Sequence, residues 1–394
     1  MQISIAGAGI GGLAAAALLA RAGHRVQVYD QFDGPRPVGS GLVIQPVGQM
    51  VLDRIGAGDA ARALGAPLRR MFGHEARSGR PVLDVTYDRG GTGRPHLSRS
   101  GLAIHRAALF DALWRAAMDA GVQVIAASRV VSAAQGQLTF ADGTQSPHAD
   151  LIIDASGAQS PLSPLRSRPL LYGAIWGTVD WPDTDLPTDE LRQSYRAANR
   201  MLGVLPIGQV PGQAGQKAAI FWSLPADAHA AWLDRGLDAW RAEAATLWPA
   251  FAPFAAQITD PTQMTMARYS HGTLSRPYGP GLVHIGDAAH RASPQLGQGA
   301  NMALLDALAL AEAIRLADGR DPLKLYAQAR RWHVRTYQAF SAAFTPQYQS
   351  DSRWLPTLRD RVLFPVSQIP PLPRVLSALV SGTMIPPLGS LTLL

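Results

Sequence analysis

The sequence predicts an α/β protein in which a Rossmann-like domain is interrupted by a mainly antiparallel β-sheet domain and followed by a C-terminal helical segment. Three observations lead there. A Gly-x-Gly-x-x-Gly sits between an apolar strand and an alanine-rich helix at the start of the chain. A strand, a glycine-rich loop and a long helix of the same kind return from residue 281. Between about 170 and 269, proline and tryptophan become more frequent and strand-like runs alternate with loops.

The elements follow in order. Residues 3–6 read as an apolar strand, and residues 11–22 as a helix that Gly23 ends as a C-cap glycine does. Residues 26–29 are a second buried strand. Residues 106–120 carry Leu109, Leu113 and Ala117 at helical spacing, Gly121 stops them, and 122–125 form the next strand. Residues 130–131, 137–140 and the turn Ala141-Asp142-Gly143 predict a small antiparallel meander before a buried strand at 151–154. In the inserted stretch, 201–205 and 218–224 are strand-like. A strand at 282–285 and a helix at 300–317 complete the pattern.

Composition narrows the function classes. Hydrophobic residues make up 47% of the 394 and charged residues 16%, enough to bury a sizeable core and too apolar for a disordered chain. The chain has no cysteine, so disulfides, thiolate chemistry and cysteine-held metals are excluded; a reducing, cytoplasmic location is expected. The net charge is +7, and only Lys217 and Lys324 are lysines. The arginines are scattered rather than run together, which argues against a nucleic-acid partner and suits a field that attracts anionic cofactors or substrates. No metal-ligand spacing and no Gly-x-Ser-x-Gly elbow occurs. The apolar residues 10–20 lack a preceding basic region and carry the fingerprint glycines, unlike a signal peptide. Residues 375–394 are largely apolar, but Pro386 and Pro387 interrupt them. Packing on the body or peripheral membrane contact is expected there, not a transmembrane segment.

Three motifs carry chemistry. In Gly7-Ala8-Gly9-Ile10-Gly11-Gly12, Gly7 permits the tight turn, Gly9 lets the backbone approach a pyrophosphate, and Gly12 packs helix on strand. The helix N-terminus then faces the phosphates, and Asp30 at the end of the second strand suits ribose hydroxyls. The second motif, Gly286-Asp287-Ala288-Ala289-His290, follows a strand directly and places Asp287 toward a ribityl or ribose hydroxyl. The third, from Ser293-Pro294 through Gly297-Gln298-Gly299-Ala300-Asn301, opens a long helix whose N-terminus suits the negative charge of a reduced isoalloxazine.

In this order the three motifs resemble the single-component FAD-dependent aromatic hydroxylases, the para-hydroxybenzoate hydroxylase and tetracycline-inactivating monooxygenase families, over residues 1–160 and 281–320. The resemblance implies a flavoprotein monooxygenase with FAD as cofactor, NADPH or NADH as transient reductant, and O2 as co-substrate. It would hydroxylate an electron-rich aromatic or enol small molecule through a flavin C4a-hydroperoxide, as a monomer or homodimer. It implies cofactor contacts at Gly7, Gly9, Ile10, Gly11, Gly12, Asp30 and Gln31, and at Gly41, Leu42 and Val43 beside the isoalloxazine. It adds Arg106 near the flavin or its phosphates, Val130 at the adenine, Gly157, Gly286 and Asp287, then Pro294, Gly297, Gly299, Ala300 and Asn301. The expected division is 1–169 and 270–320 for FAD, 170–269 for substrate, and 321–394 for the C-terminal helical region.

One departure stands out. Where the family carries Asp-Gly after the strand 151–154, this chain has Asp154-Ala155-Ser156-Gly157. Asp154 is a substitute for the missing acid only if it acts from two residues away, roughly 6.5 Å along a strand. His290 is a candidate acid or base, or a residue that holds its loop. Met201, Gly203 and Trp222 are candidates for the substrate pocket or for core packing. The alternative functions are a non-hydroxylating FAD-dependent dehydrogenase or reductase, and a flavin-binding regulatory protein.

Overall fold

The computed structural model describes residues 1–34, 39–88, 100–389 and 391. The first strand, Gln2–Ala6, is the centre of a six-stranded sheet. It pairs in parallel with Arg25–Tyr29 on one side and Leu151–Asp154 on the other; Gln123–Ile125 and Leu282–His284 extend these in parallel. Tyr278–Gly279 adds an antiparallel edge. Side-chain alternation decides the layers. Ile3 and Ile5 point into a core shared with the helices Ile10–Arg21, Arg106–Asp119 and Gly299–Arg315. Ala6 and Ile152 point the other way, against Tyr29, Leu138 and Phe140 of a small antiparallel meander. This is the Rossmann-like domain, and its element boundaries fall within a few residues of those expected.

The second sheet has eight strands in the order His290–Arg291, Thr265–Thr273, Arg168–Asp180, Lys217–Pro225, Arg200–Pro206, Glu190–Arg196, Arg70–Glu75 and Pro81–Thr86. All pairings are antiparallel except Glu190–Arg196 on Arg70–Glu75. The sheet thus reaches beyond 170–269. It takes two strands from residues 70–86, because Glu190–Arg196 would otherwise be an open edge, and sequence order does not reveal which distant strand covers an edge.

Its two faces do different things. Ile175, Leu202, Ile220 and Trp222 face a layer of Trp232, Trp240, Phe251 and Phe254. The tryptophans at 232 and 240 lie on a helix, His229–Leu247, kinked at Gly236, where the sequence pattern predicts only strands and loops. Ala219 and Leu205 turn toward Val43, Ala103 and Ile207, which join the sheet to the Rossmann-like domain through the small sheet of Gly41–Ile44, Gly101–His105 and Ala66–Leu68. The C-terminal region begins with the long helix Pro322–Tyr348, packed on Gly299–Arg315. Among the described residues no helix is long and apolar enough to cross a membrane.

Trp240 is 2% exposed and stands edge-on to Trp222, Trp232 and Phe251. Trp240→Ala is expected to cost about 3–5 kcal/mol of stability, seen as a lower urea midpoint by circular dichroism. Because the residue lies on the far face of the sheet, FAD affinity should be unchanged. A joint loss of stability and cofactor would show that the two faces are coupled.

Candidate FAD cleft and active site

The cleft begins where the first strand stops. Gly7 turns the chain at a φ of +100°, and a side chain there would meet the Ala155 carbonyl oxygen at 2.6 Å. At Gly12 a Cβ would come within 2.0 Å of the Gly7 carbonyl oxygen. Both are therefore packing glycines. At Gly9, by contrast, a Cβ would meet nothing within 4 Å. Gly9 caps the helix Ile10–Arg21 with no side chain bonded to the first turn, so N–H groups there remain for a ligand. Asp30 braces the turn: one carboxylate oxygen accepts from the Ala8 N–H at 2.7 Å and the other from the Phe32 N–H at 3.0 Å.

A cavity of about 390 Å³ opens above this turn. Ten of the expected residues line it, namely Gly9, Ile10, Gly11, Asp30, Arg106, Gly157, Gly286, Asp287, Gly299 and Ala300. The sequence reading missed Phe32, Phe110, Trp114, Val124, Ala126, Ile285 and Ala303. Phe110 and Trp114 stack with ring centres 5.7 Å apart. They sit one turn apart on Arg106–Asp119, off the stripe of Leu109 and Leu113 that faces the core. A second apolar face on one helix was the available signal, and its aromatic pair offers a wall for a flat ring.

Asp287 occupies a tight turn, Gly286–Ala288, with its side chain accessible from the cleft. The protein around the carboxyl raises its pKa, while nearby His290, Arg106 and Arg291 oppose the shift. The turn is held from behind. The buried carboxylate of Asp306 accepts from the Gly286 N–H at 2.9 Å, from the Arg330 guanidinium at 2.7 Å, and pairs with His290 Nε2 at 2.7 Å. Arg330 donates in turn to the carbonyl of Pro387, and His333 Nε2 lies 3.1 Å from the Gly382 carbonyl. His290 is thus buried, bonded to Asp306 and absent from the cleft wall. Of the two expected roles, this geometry supports the one in which His290 holds its loop.

The side chain of Asn301 braces its loop. It is fully buried; its amide oxygen accepts from the Gln45 N–H at 2.7 Å, and its NH2 donates to the carbonyls of Gly297 and Val43. It ties the loop of Pro294 and Gly297 to the strand Gly41–Ile44, and does not enter the cavity. Gly41, Leu42 and Val43 belong to that strand, and Gly41 is pressed on Ile207. Val130 packs near Tyr29 and Phe140; neither it nor Gln31 lines the cavity. Gly299 and Ala300 do, at the start of a helix that again has no side-chain cap.

The three substrate-pocket candidates belong to the core. Trp222 is 1% exposed on the face away from the Rossmann-like domain. Met201 is sealed with Val82, Tyr195 and Phe221, and the space beside Gly203 is filled by the Phe221 ring. Alternate residues of a strand point to opposite faces: Trp222 points away from the Rossmann-like domain, whereas Met201 and Gly203 share the inward face with Phe221 and are covered there by packing. That inward face also carries Trp176, tilted at 35° to Phe221 with ring centres 4.6 Å apart and donating its indole N–H to the Tyr269 hydroxyl at 2.8 Å. Burial pushes the Tyr269 hydroxyl up to about 12, opposed in part by Arg106, which is close enough to act on it.

Asp154 cannot replace the missing family acid. It is fully buried, and its carboxylate accepts from the hydroxyls of Ser156 at 2.5 Å and Ser160 at 2.6 Å and pairs with His284 Nδ1 at 2.7 Å. Ser156 is therefore a donor to Asp154, and an aspartate at 156 would set two carboxylates side by side.

The uncapped helix ends, the open space over Gly9, the aromatic wall and the accessible Asp287 fit a dinucleotide flavin. The comparisons agree. A sequence profile described as an FAD binding domain matches residues 1–341. The chain belongs to the single-component FAD-dependent aromatic hydroxylases, and is an FAD-dependent monooxygenase. It is 28% identical over 329 residues to an FAD-dependent urate hydroxylase of Klebsiella pneumoniae subsp. pneumoniae, covering 80% of this chain and 82% of that one. It is 30% identical to the 2-heptyl-3-hydroxy-4(1H)-quinolone synthase of Mycobacteroides abscessus, covering 86% of this chain and 88% of that one. In fold it matches the crystal structure of Klebsiella pneumoniae HpxO complexed with FAD and uric acid, with a TM-score of 0.76, 24% identity and 97% of both chains covered.

The buried network behind Asp287 sets a pH dependence. Burial pushes His333 down to about 3, whereas an unfolded histidine titrates near 6.5. Between those values the unfolded chain holds the extra proton, so stability falls as the pH drops below about 6.5. Asp154 and Asp306 are held below the usual carboxylate range despite burial, by their hydrogen-bond partners and, for Asp306, by the charges of His290 and Arg330. Their contribution is present above about pH 4 and is lost below it. His333→Gln should make the urea midpoint less dependent on pH between about 6.5 and 4.5; an unchanged slope would assign that limb to other histidines.

Proposed function

We propose that the protein hydroxylates a small, electron-rich aromatic or enol molecule, with NADPH or NADH as a transient reductant and O2 as co-substrate. The observation that carries this reading is one cavity lined by both uncapped helix N-termini, Arg106 and Asp287, with the Trp176–Tyr269 pair on the inward face of the eight-stranded sheet. In this reading residues 1–169 and 270–320 hold FAD, 170–269 cover the substrate, and 321–394 brace the cofactor loops. Bound flavin supplies the redox chemistry that passes two electrons to O2 and one oxygen atom to the substrate, the other leaving as water. The chain's own groups do the rest. The N–H groups before Ile10 and Gly299 hold negative charge, Asp287 accepts from a ribityl or ribose hydroxyl, and Arg106 draws an anionic substrate or cofactor toward the ring. The Tyr269 hydroxyl keeps its proton at neutral pH, so it donates to a substrate oxygen rather than removing a proton. Trp176 and Phe221 exclude water on the substrate side.

Relatives named a urate hydroxylase, a 2-heptyl-3-hydroxy-4(1H)-quinolone synthase and a 3-hydroxybenzoate 6-hydroxylase make nitrogen heterocycles and hydroxylated benzoates the classes to test first. The absence of cysteine supports a cytoplasmic setting, where the reductant is supplied.

The test is ¹⁸O2 turnover with urate, quinolones and phenols, followed by mass spectrometry of the product. One labelled oxygen atom per product is expected. Reduction of bound flavin without any labelled product would favour the dehydrogenase alternative. Asp287→Ala should weaken FAD binding roughly ten- to a hundredfold, the loss of one charge-assisted hydrogen bond of about 1.5–3 kcal/mol. Equilibrium dialysis of the released flavin measures it. Retention equal to the parent protein's would remove Asp287 from the site.

A further inference from the structure

We propose that the C-terminal helical run, residues 353–375, is a docking face for an anionic lipid surface, through which the protein binds membranes reversibly and peripherally. The run joins Leu355–Leu358, a wider turn at Arg359–Leu363 and Phe364–Ser367 into one continuous helix. Trp354, Leu358, Val362 and Val366 recur along it every fourth residue, and Ile369 follows. They are 83%, 43%, 47%, 43% and 58% exposed. A four-residue spacing drifts around an ordinary helix of 3.6 residues per turn; the wider middle turn offsets that drift and keeps the apolar row in line.

The opposite side of the run is fixed. Arg359 is 1% exposed, lies against the rings of Tyr195 and Tyr348 at 5.0 and 5.1 Å, and donates to the Gln347 carbonyl at 2.9 Å. The apolar row is therefore presented outward by a buried anchor rather than left over from loose packing. Residues beyond it do turn inward: Ser377, Leu379 and Val380 are buried. The outward-facing stretch is thus upstream of the apolar tail that the sequence had singled out.

Charge selects the occupant. Asp351 and Asp360 are the acids of this segment, and both are engaged internally, by the Tyr172 hydroxyl at 2.5 Å and by Arg359 Nε at 2.6 Å. Arg353, Arg361 and Arg374 are exposed, and among the described residues none forms an ion pair. A second copy docked on the same face by two-fold symmetry would set these arginines against each other with no free acid to pair them. An anionic bilayer surface pairs with the arginines and takes the aliphatic side chains below its headgroups, with Trp354 at the interface.

The experiment is cosedimentation of the flavin-loaded protein with phosphatidylcholine vesicles, with and without phosphatidylglycerol, at about 0.1 M and about 0.5 M salt. Binding to the phosphatidylglycerol vesicles is expected, weakened by salt and absent with phosphatidylcholine alone. Trp354→Asp with Val366→Asp should reduce it about tenfold or more. Arg353→Gln, Arg361→Gln and Arg374→Gln together should reduce it on the order of a hundredfold. Both variants change only exposed side chains, and an unaltered flavin spectrum shows that each is folded. Failure of the parent protein to sediment with either vesicle overturns the proposal. So does a homodimer in light scattering that Trp354→Asp dissociates, which would make the row a subunit interface.

Discussion

The carboxylate of Asp306 is the interaction on which the cofactor side of the molecule depends. It is buried with no access to water, so its charge is tolerable only because three donors converge on it. Two of the donors belong to the cofactor motif and the third to the C-terminal helix. The Gly286 N–H fixes the turn that aims Asp287, His290 fixes the end of the same motif, and Arg330 brings in the long C-terminal helix. Removing any one leaves an unpaired group in the interior, which costs more than the bond itself contributes. The same carboxylate therefore decides where the cofactor turn sits and whether the C-terminal region is attached to it.

A second set of polar ties does the same for the other wall. Asn301 joins the loop that opens the helix Gly299–Arg315 to the strand Gly41–Ile44, and Gln298 donates to the Val380 carbonyl at 2.8 Å. Both helix N-termini that face the cleft are thus uncapped by side chains yet held from outside. Rigid donors aimed into a cavity need no reorganisation when negative charge develops there, which is the condition for electrostatic stabilisation.

Much of this was legible in the sequence, and for physical reasons. The fingerprint glycines, Asp30 and Asp287 must occupy fixed places because backbone must pass close to a ligand, and such places leave spacing marks. The strands and helices of the Rossmann-like domain are buried and periodic, so their boundaries followed. What escaped depends on the third dimension. His290 and Asn301 carry side chains equally suited to catalysis and to bracing, and only their partners at Asp306 and Gln45 decide between the two. Trp222 and Phe221 are neighbours in sequence but face opposite layers, and one residue of phase reverses a pocket assignment. Phe110 and Trp114 were hidden behind the more regular leucine stripe on their own helix.

The order of the six strands has a consequence for how the chain is made. Leu151–Asp154 is an interior strand, yet the neighbour that covers its outer edge, Leu282–His284, is synthesised only after the five strands between Arg168 and Thr273. Until then the emerging chain carries a run of buried-type residues with unpaired backbone on one side. The eight-stranded sheet waits as well, since His290–Arg291 closes its edge. Neither domain is complete before the other, and a ribosome that stalls short of residue 284 leaves a half-built sheet open to pairing with a second nascent chain.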